Sequence, residues 1–229
     1  MAVERAKIDV EERDEGVAIT LLSGDRGNYL GVEELAMLTS VLDKAEETGR
    51  RWILLRQHGQ DFCLGRAPGP GGEDTRKALS GFVQRWQSLE PMTVAAADGG
   101  CVGFAVGLFS LADISLASER AWFQFPEILG GGSYPAIVAS WLFDLVPYKQ
   151  ALFWTVTGAR FTVADAYQFG LASTVIPAGE LAGRTDETIA GLESLSRKAL
   201  RDGKSAAKAM SSAPRDPAIR RSMALKWFL

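Results

Sequence analysis

What most constrains this chain is a regular alternation of apolar runs of strand length with longer stretches whose apolar residues recur at helical spacing. "GVAITLL", "WILLRQ" and "MTVAAADGG" read as strands, and an uninterrupted apolar run such as "WILLRQ" suits a strand covered on both faces. "GVEELAMLTSVLDKAEE" and "TRKALSGFVQRWQSLE" lie between them and have helical periodicity, the first with its acids early. Strands that alternate with helices pair in parallel through right-handed crossovers, so an α/β fold is expected. At the start, "KIDVEER" and "GVAITLL" flank "DEG" and predict a hairpin.

Further on, "FAVGLFSLADISLAS" reads as an apolar helix running into a strand, and "AWFQF" as a short strand. "SYPAIVASWLFDLV" and "YKQALFWTVTG" are helical, the second ending at Gly158, and "TVADAYQFGLASTVI" is a helix followed by a strand. From about Glu180 the pattern is mostly helical, with a break at "SSAPRDP". No repeat or linker divides the chain. The expected organisation is one core domain over residues 1–185 with a short helical C-terminal extension over 186–229.

Composition narrows the function. With 229 residues, 47% of them hydrophobic, the chain can bury one large core. Its 25 basic and 28 acidic residues are interspersed, so nothing builds the basic stripe that nucleic acid requires. No apolar run reaches the roughly 18 residues of a membrane span. The charged start "MAVERAKIDVEERDEG" lacks the apolar centre of a signal peptide, so a cytoplasmic protein is expected. Cys63 and Cys101 have no metal-ligand spacing and read as reduced, buried thiols. No metal is expected: the only histidine is His58, in what reads as a turn after a strand, and a serine triad would have to use it.

Three elements carry chemistry. "DFCLGRAPG" and "DGGCVGF" are glycine-containing loops, each following an apolar strand, where ligands gather in α/β proteins. The second loop opens a helix. Backbone N–H groups converging from the two loops would form an oxyanion hole, each donor contributing about 3 to 4 kcal/mol to a developing enolate. In "AWFQFPEILGGG", Glu127 follows a proline inside an apolar run. Packed against Trp122, Phe125 and Ile128, its carboxyl would titrate high and suit proton transfer near neutral pH. Each element also has a plainer reading: glycines after strands are usually turns, and a Pro-Glu pair often starts a helix.

In this order, "FCLGR" (62–66), "AADGGCVGFAVGLFSLADISLAS" (96–118) and "FQFPEILGG" (123–131) resemble the enoyl-CoA hydratase/isomerase, or crotonase, superfamily. "GNYLG" around Asn28 and "TGARFTVADAYQFGLASTVIP" add to the resemblance, which runs from residue 7 to about 180. It implies a crotonase-like spiral of ββα units, assembled as a homotrimer or a dimer of trimers. It also implies a substrate that is an acyl thioester, usually of coenzyme A, with no further cofactor. By position, the enolate donors would be the amides of Leu64 and Phe104, with Glu127 as acid and base. Cys63, Arg66 and Gly103 beside those amides, and Trp122, Phe125 and Tyr134 from the aromatic cluster that includes Trp86 and Trp141, are the candidate substrate contacts.

Departures from the pattern shape the expected reaction. Family hydratases hold water between two glutamates, and the first falls on Gly107 here, which has no side chain to move a proton. One carboxylate suffices to shift a double bond, so an enoyl thioester isomerase comes first and a hydratase or dehydratase second. A lyase-type or C–C bond-forming variant acting on a carrier-bound or free carbonyl compound comes third. The rival is a catalytically altered binding or assembly subunit. It fits the loss at Gly107, the unusual "RAPGPGGED", where Arg66 replaces a small residue, and a sequence that stops at "MALKWFL" before the family's last helices.

Overall fold

A computed structural model describes residues 7–23, 27–67, 73–131 and 136–212, with only the backbone of 136–140 and 212. Within them β1 (Ile8–Glu12) and β2 (Gly16–Leu21) form the expected antiparallel hairpin. From β2 the main sheet continues in parallel through β3 (Trp52–Gln57), β4 (Met92–Ala97), β6 (Ile114–Ser118) and β9 (Thr174–Ile176). A second, three-stranded sheet joins β5 (Gly100–Val102), β7 (Trp122–Gln124) and the two-residue β8 (Phe161–Thr162).

The helices are α1 (Val32–Glu47), α2 (Glu73–Ser88), α3 (Phe104–Ser110), α4 (Ala136–Leu145), α5 (Tyr148–Thr157), α6 (Val163–Gln168), α7 (Leu181–Ser194) and α8 (Arg197–Ser212). None in the described residues is long and apolar enough to cross a membrane. α5 stops where the sequence indicates, at Gly158, which takes the left-handed conformation that ends helices.

Period-two alternation divides the core between the two faces of the main sheet. Ile53 and Leu55 of β3 point to one face, with Leu35, Leu38 and Leu42 of α1, Phe82 and Trp86 of α2, and α3. Trp52 and Leu54 point to the other, with Ile189 and Leu192 of α7 and Leu200 of α8. α7 therefore closes a face of the central sheet and runs unbroken past residue 185, so the expected boundary between core and extension falls inside a helix. α8 is fixed by a buried ion pair. Lys204 Nζ lies 2.6 Å from Asp113 Oδ2 and donates to the Pro91 carbonyl at 2.6 Å, while Asp113 also accepts from the amide and hydroxyl of Thr93.

Candidate active site

The two glycine loops come together. Cys63 and Cys101 form a parallel bridge: the Cys63 amide donates to Gly100 O at 3.0 Å and the Val102 amide to Cys63 O at 3.0 Å. Asp61 Oδ1 accepts from the Gly100 amide at 2.9 Å. Loop 61–65 thus lies along β5, next to the start of α3. Both thiols are free and fully buried. Burial pushes the Cys63 thiol up to about 12 and Cys101 well above its ordinary value. Cys63 contributes through its main chain, because its sulfur is turned onto Gly65 N at 3.4 Å.

α3 begins where Gly103 takes φ +59° and ψ −127°, a conformation that favours glycine. Its amide donates to Gln124 O at 2.8 Å, binding the helix start to β7. Pro126 then turns the chain, and Glu127 opens the 3₁₀ turn Glu127–Gly130. That turn lays the Glu127 carboxyl against the bare face of Gly103: a Cβ there would stand 2.8 Å from Glu127 Oε1. Any side chain at 103 would displace the acid.

Glu127 has no counter-charge among the described residues, and its Oε2 is buried without a hydrogen-bond partner. Burial raises its pKa above the ordinary carboxylate value, and a bond from its own backbone opposes this only in part. The Phe104 amide, at the first position of α3, has no intrahelical acceptor. Acid, helix start and loop therefore lie side by side.

Leu64 is a correction. Its amide donates to Gly27 O at 2.7 Å, so it is already committed and does not serve as the expected anion donor. The cause is Asn28, fully buried at φ +47°, whose side chain accepts from Ser23 N at 2.6 Å and donates to Asp61 O at 2.9 Å. These bonds hold the 27–30 segment against loop 61–65. The sequence signal was an asparagine beside a glycine, since asparagine tolerates left-handed backbone.

The other candidates separate. Arg66 is exposed and its guanidinium reaches Ala67 O at 3.2 Å. Trp122 is half-buried with the Arg160 guanidinium 3.8 Å over its ring. Phe125 is fully buried against Phe161 and Trp141. Tyr134 lies outside the described residues. Trp141 fills the space beside Gly107: a Cβ there would stand 3.3 Å from the indole Nε1. His58 is remote, at the rim of a cavity of about 460 Å³ with Arg56, Asp98 and Arg120, on the sheet face opposite α3. No group of three metal-ligating side chains occurs among the described residues.

A family model described as enoyl-CoA hydratase/isomerase matches residues 12–225. The chain belongs to that family. The human Chromodomain Y-like protein is 25% identical over 179 residues, covering 72% of this chain and 30% of its own. This chain thus spans about a third of that relative. A (7aS)-7a-methyl-1,5-dioxo-2,3,5,6,7,7a-hexahydro-1H-indene-carboxyl-CoA hydrolase from Rhodococcus jostii is 26% identical over 176 residues, covering 73% of this chain and 67% of the hydrolase. The crystal structure of human enoyl Coenzyme A hydratase domain-containing protein 3 superposes with a TM-score of 0.87 at 21% identity, covering 96% and 90% of the two chains. The crotonase-like α/β fold read from the sequence is therefore the fold of this chain.

Proposed function

We propose that this protein is an enzyme that moves a proton on an acyl thioester through an enolate, with Glu127 as its single acid and base. One observation carries the reading: a buried carboxyl without a counter-charge rests on Gly103, beside the N–H that opens α3. A carboxyl held above its ordinary pKa can take a proton from one carbon and return it to another near neutral pH.

One donor to the thioester oxygen is the Phe104 amide, and such donors contribute about 2.7–4 kcal/mol. The second is reassigned from Leu64 to Arg66. In the Leu30–Arg66 bridge, Leu30 bonds Gly65 O and Ala67 N, which turns the Arg66 amide to the opposite side of the loop. Glu127, Phe104 and Arg66 would then perform isomerisation of an enoyl thioester. The indole crowds Gly107, where a Cβ would stand 3.3 Å from Nε1, and this disfavours a second carboxylate and two-acid hydration. Coenzyme A as the carrier and a homotrimeric assembly belong to this proposal.

A second reading has one observation in its favour, the committed Leu64 amide, which fits a binding or assembly subunit without turnover. A panel of enoyl coenzyme A thioesters in deuterated water separates the two. The enzyme exchanges the α-proton and Glu127→Gln abolishes exchange, whereas the absence of exchange with every thioester would defeat the catalytic reading.

A further inference from the structure

One line of α3 carries almost no side chains of its own, because positions 103 and 107, one turn apart, are both glycine. Each gap is filled by a polar group from elsewhere. Glu127 Oε1 stands 2.8 Å from where a Gly103 Cβ would be, and Trp141 Nε1 stands 3.3 Å from where a Gly107 Cβ would be. The two positions lie about 6 Å apart along the helix axis. Ser110 falls on the same line, at the next turn.

All three groups carry a buried atom without a hydrogen-bond partner: Glu127 Oε2, Trp141 Nε1 and Ser110 Oγ. Trp141 is 4% exposed, so bulk water does not reach its N–H. Buried polar atoms are ordinarily paired, and leaving one unpaired costs free energy. An indole N–H donates only, so its missing partner is an acceptor. A hydrocarbon acyl chain offers none, whereas a carbonyl or hydroxyl oxygen on that chain does.

We propose that Trp141 is a specificity-determining residue: its indole N–H, beside Gly107 and one helical turn from Glu127, donates to an oxygen on the acyl chain. This rests on the acyl-thioester reading above and narrows it to oxo- or hydroxy-acyl thioesters. The Gly107 gap admits the indole, and Phe125 backs it at a ring-centroid distance of 6.5 Å.

The test uses four unreactive six-carbon thioether analogues of coenzyme A, one plain and three with a ketone at a different carbon beyond the sulfur. The expected result is that the native chain binds at least one ketone about tenfold tighter than the plain analogue. Trp141→Phe keeps the ring and removes the donor, so it brings that ratio to within about twofold while plain affinity holds. Gly107→Ala presses a methyl onto the indole and lowers the same ratio several-fold, which covers the case in which Trp141→Phe does not fold. Equal binding of plain and ketone analogues by the native chain would overturn the inference alone, as would a preference that survives both variants. Binding of none of the four would overturn the acyl-thioester reading together with it.

Discussion

Two buried charged sites in this molecule are built on opposite principles. Lys204 and Asp113 form a contact at 2.6 Å with side chains 6% and 17% exposed, and each has further hydrogen bonds. Burial pulls the Lys204 pKa down, and the carboxylate opposite pushes it back up. Glu127 has burial, opposed only by a bond from its own backbone and by no cation. The first arrangement fixes α8 to the starts of the interior strands β4 and β6 and is satisfied within the fold. The second leaves a proton affinity unmatched, as a group that must exchange protons with a ligand requires. Burial alone therefore does not separate the two sites; the presence or absence of an opposing charge does.

This contrast is open to direct attack. The largest effect is expected from Glu127→Gln, which should reduce α-proton exchange by about 10²–10⁴-fold, the usual contribution of a positioned acid-base group. Exchange kinetics check it, with an unchanged melting transition showing that the fold is intact. Asp113→Ala should do the reverse. It strands the Lys204 charge, and denaturant titration should show a loss of about 3–5 kcal/mol, while the folded fraction keeps its exchange rate. If both substitutions affected stability alone, the two sites would be of one kind and the proposed catalytic role would fall.

Next in size is Asn28→Ala, which removes the side-chain bonds to Ser23 N and Asp61 O and leaves a left-handed backbone to alanine. A loss of about 2–3 kcal/mol in chemical denaturation is expected. Exchange should fall with it, since loop 61–65 would no longer be held against the 27–30 segment.

The smallest effect is one of pH. Burial raises the folded pKa of Glu127 above 4.5, so the fold binds its proton more tightly than the unfolded chain does. That contribution is complete below 4.5 and is lost as pH rises through the raised value. Glu127→Gln should match the native chain in acid and exceed it above that window, by on the order of 2 °C in melting temperature. Calorimetry at several pH values would show it, and a constant difference across pH would contradict the unpartnered burial of the acid.

Much of this was legible in the sequence, for local reasons. β3 is the run "WILLRQ" itself, because an apolar stretch of that length has one geometry when covered on both faces. Glu127 stood out because a charge inside "FQFPEILGG" has no local partner, and the described residues supply no counter-charge from afar. What escaped is long-range. The Leu64 amide meets Gly27 only because Asn28 binds the chain near Asp61, and the indole at Gly107 arrives on α4. The helical pattern after residue 180 was visible for the same local reasons, but not that Ile189 and Leu192 complete the second sheet face.

The pair of thiols sealed between the loops has a practical consequence. Neither sulfur is accessible, and both stay protonated at any pH used for maleimide coupling, so the native chain is silent to labelling reagents. A cysteine placed at the 66%-exposed Tyr148 would be the one reactive thiol among the described residues, and a fluorophore there would label the start of α5 without mutating the native pair.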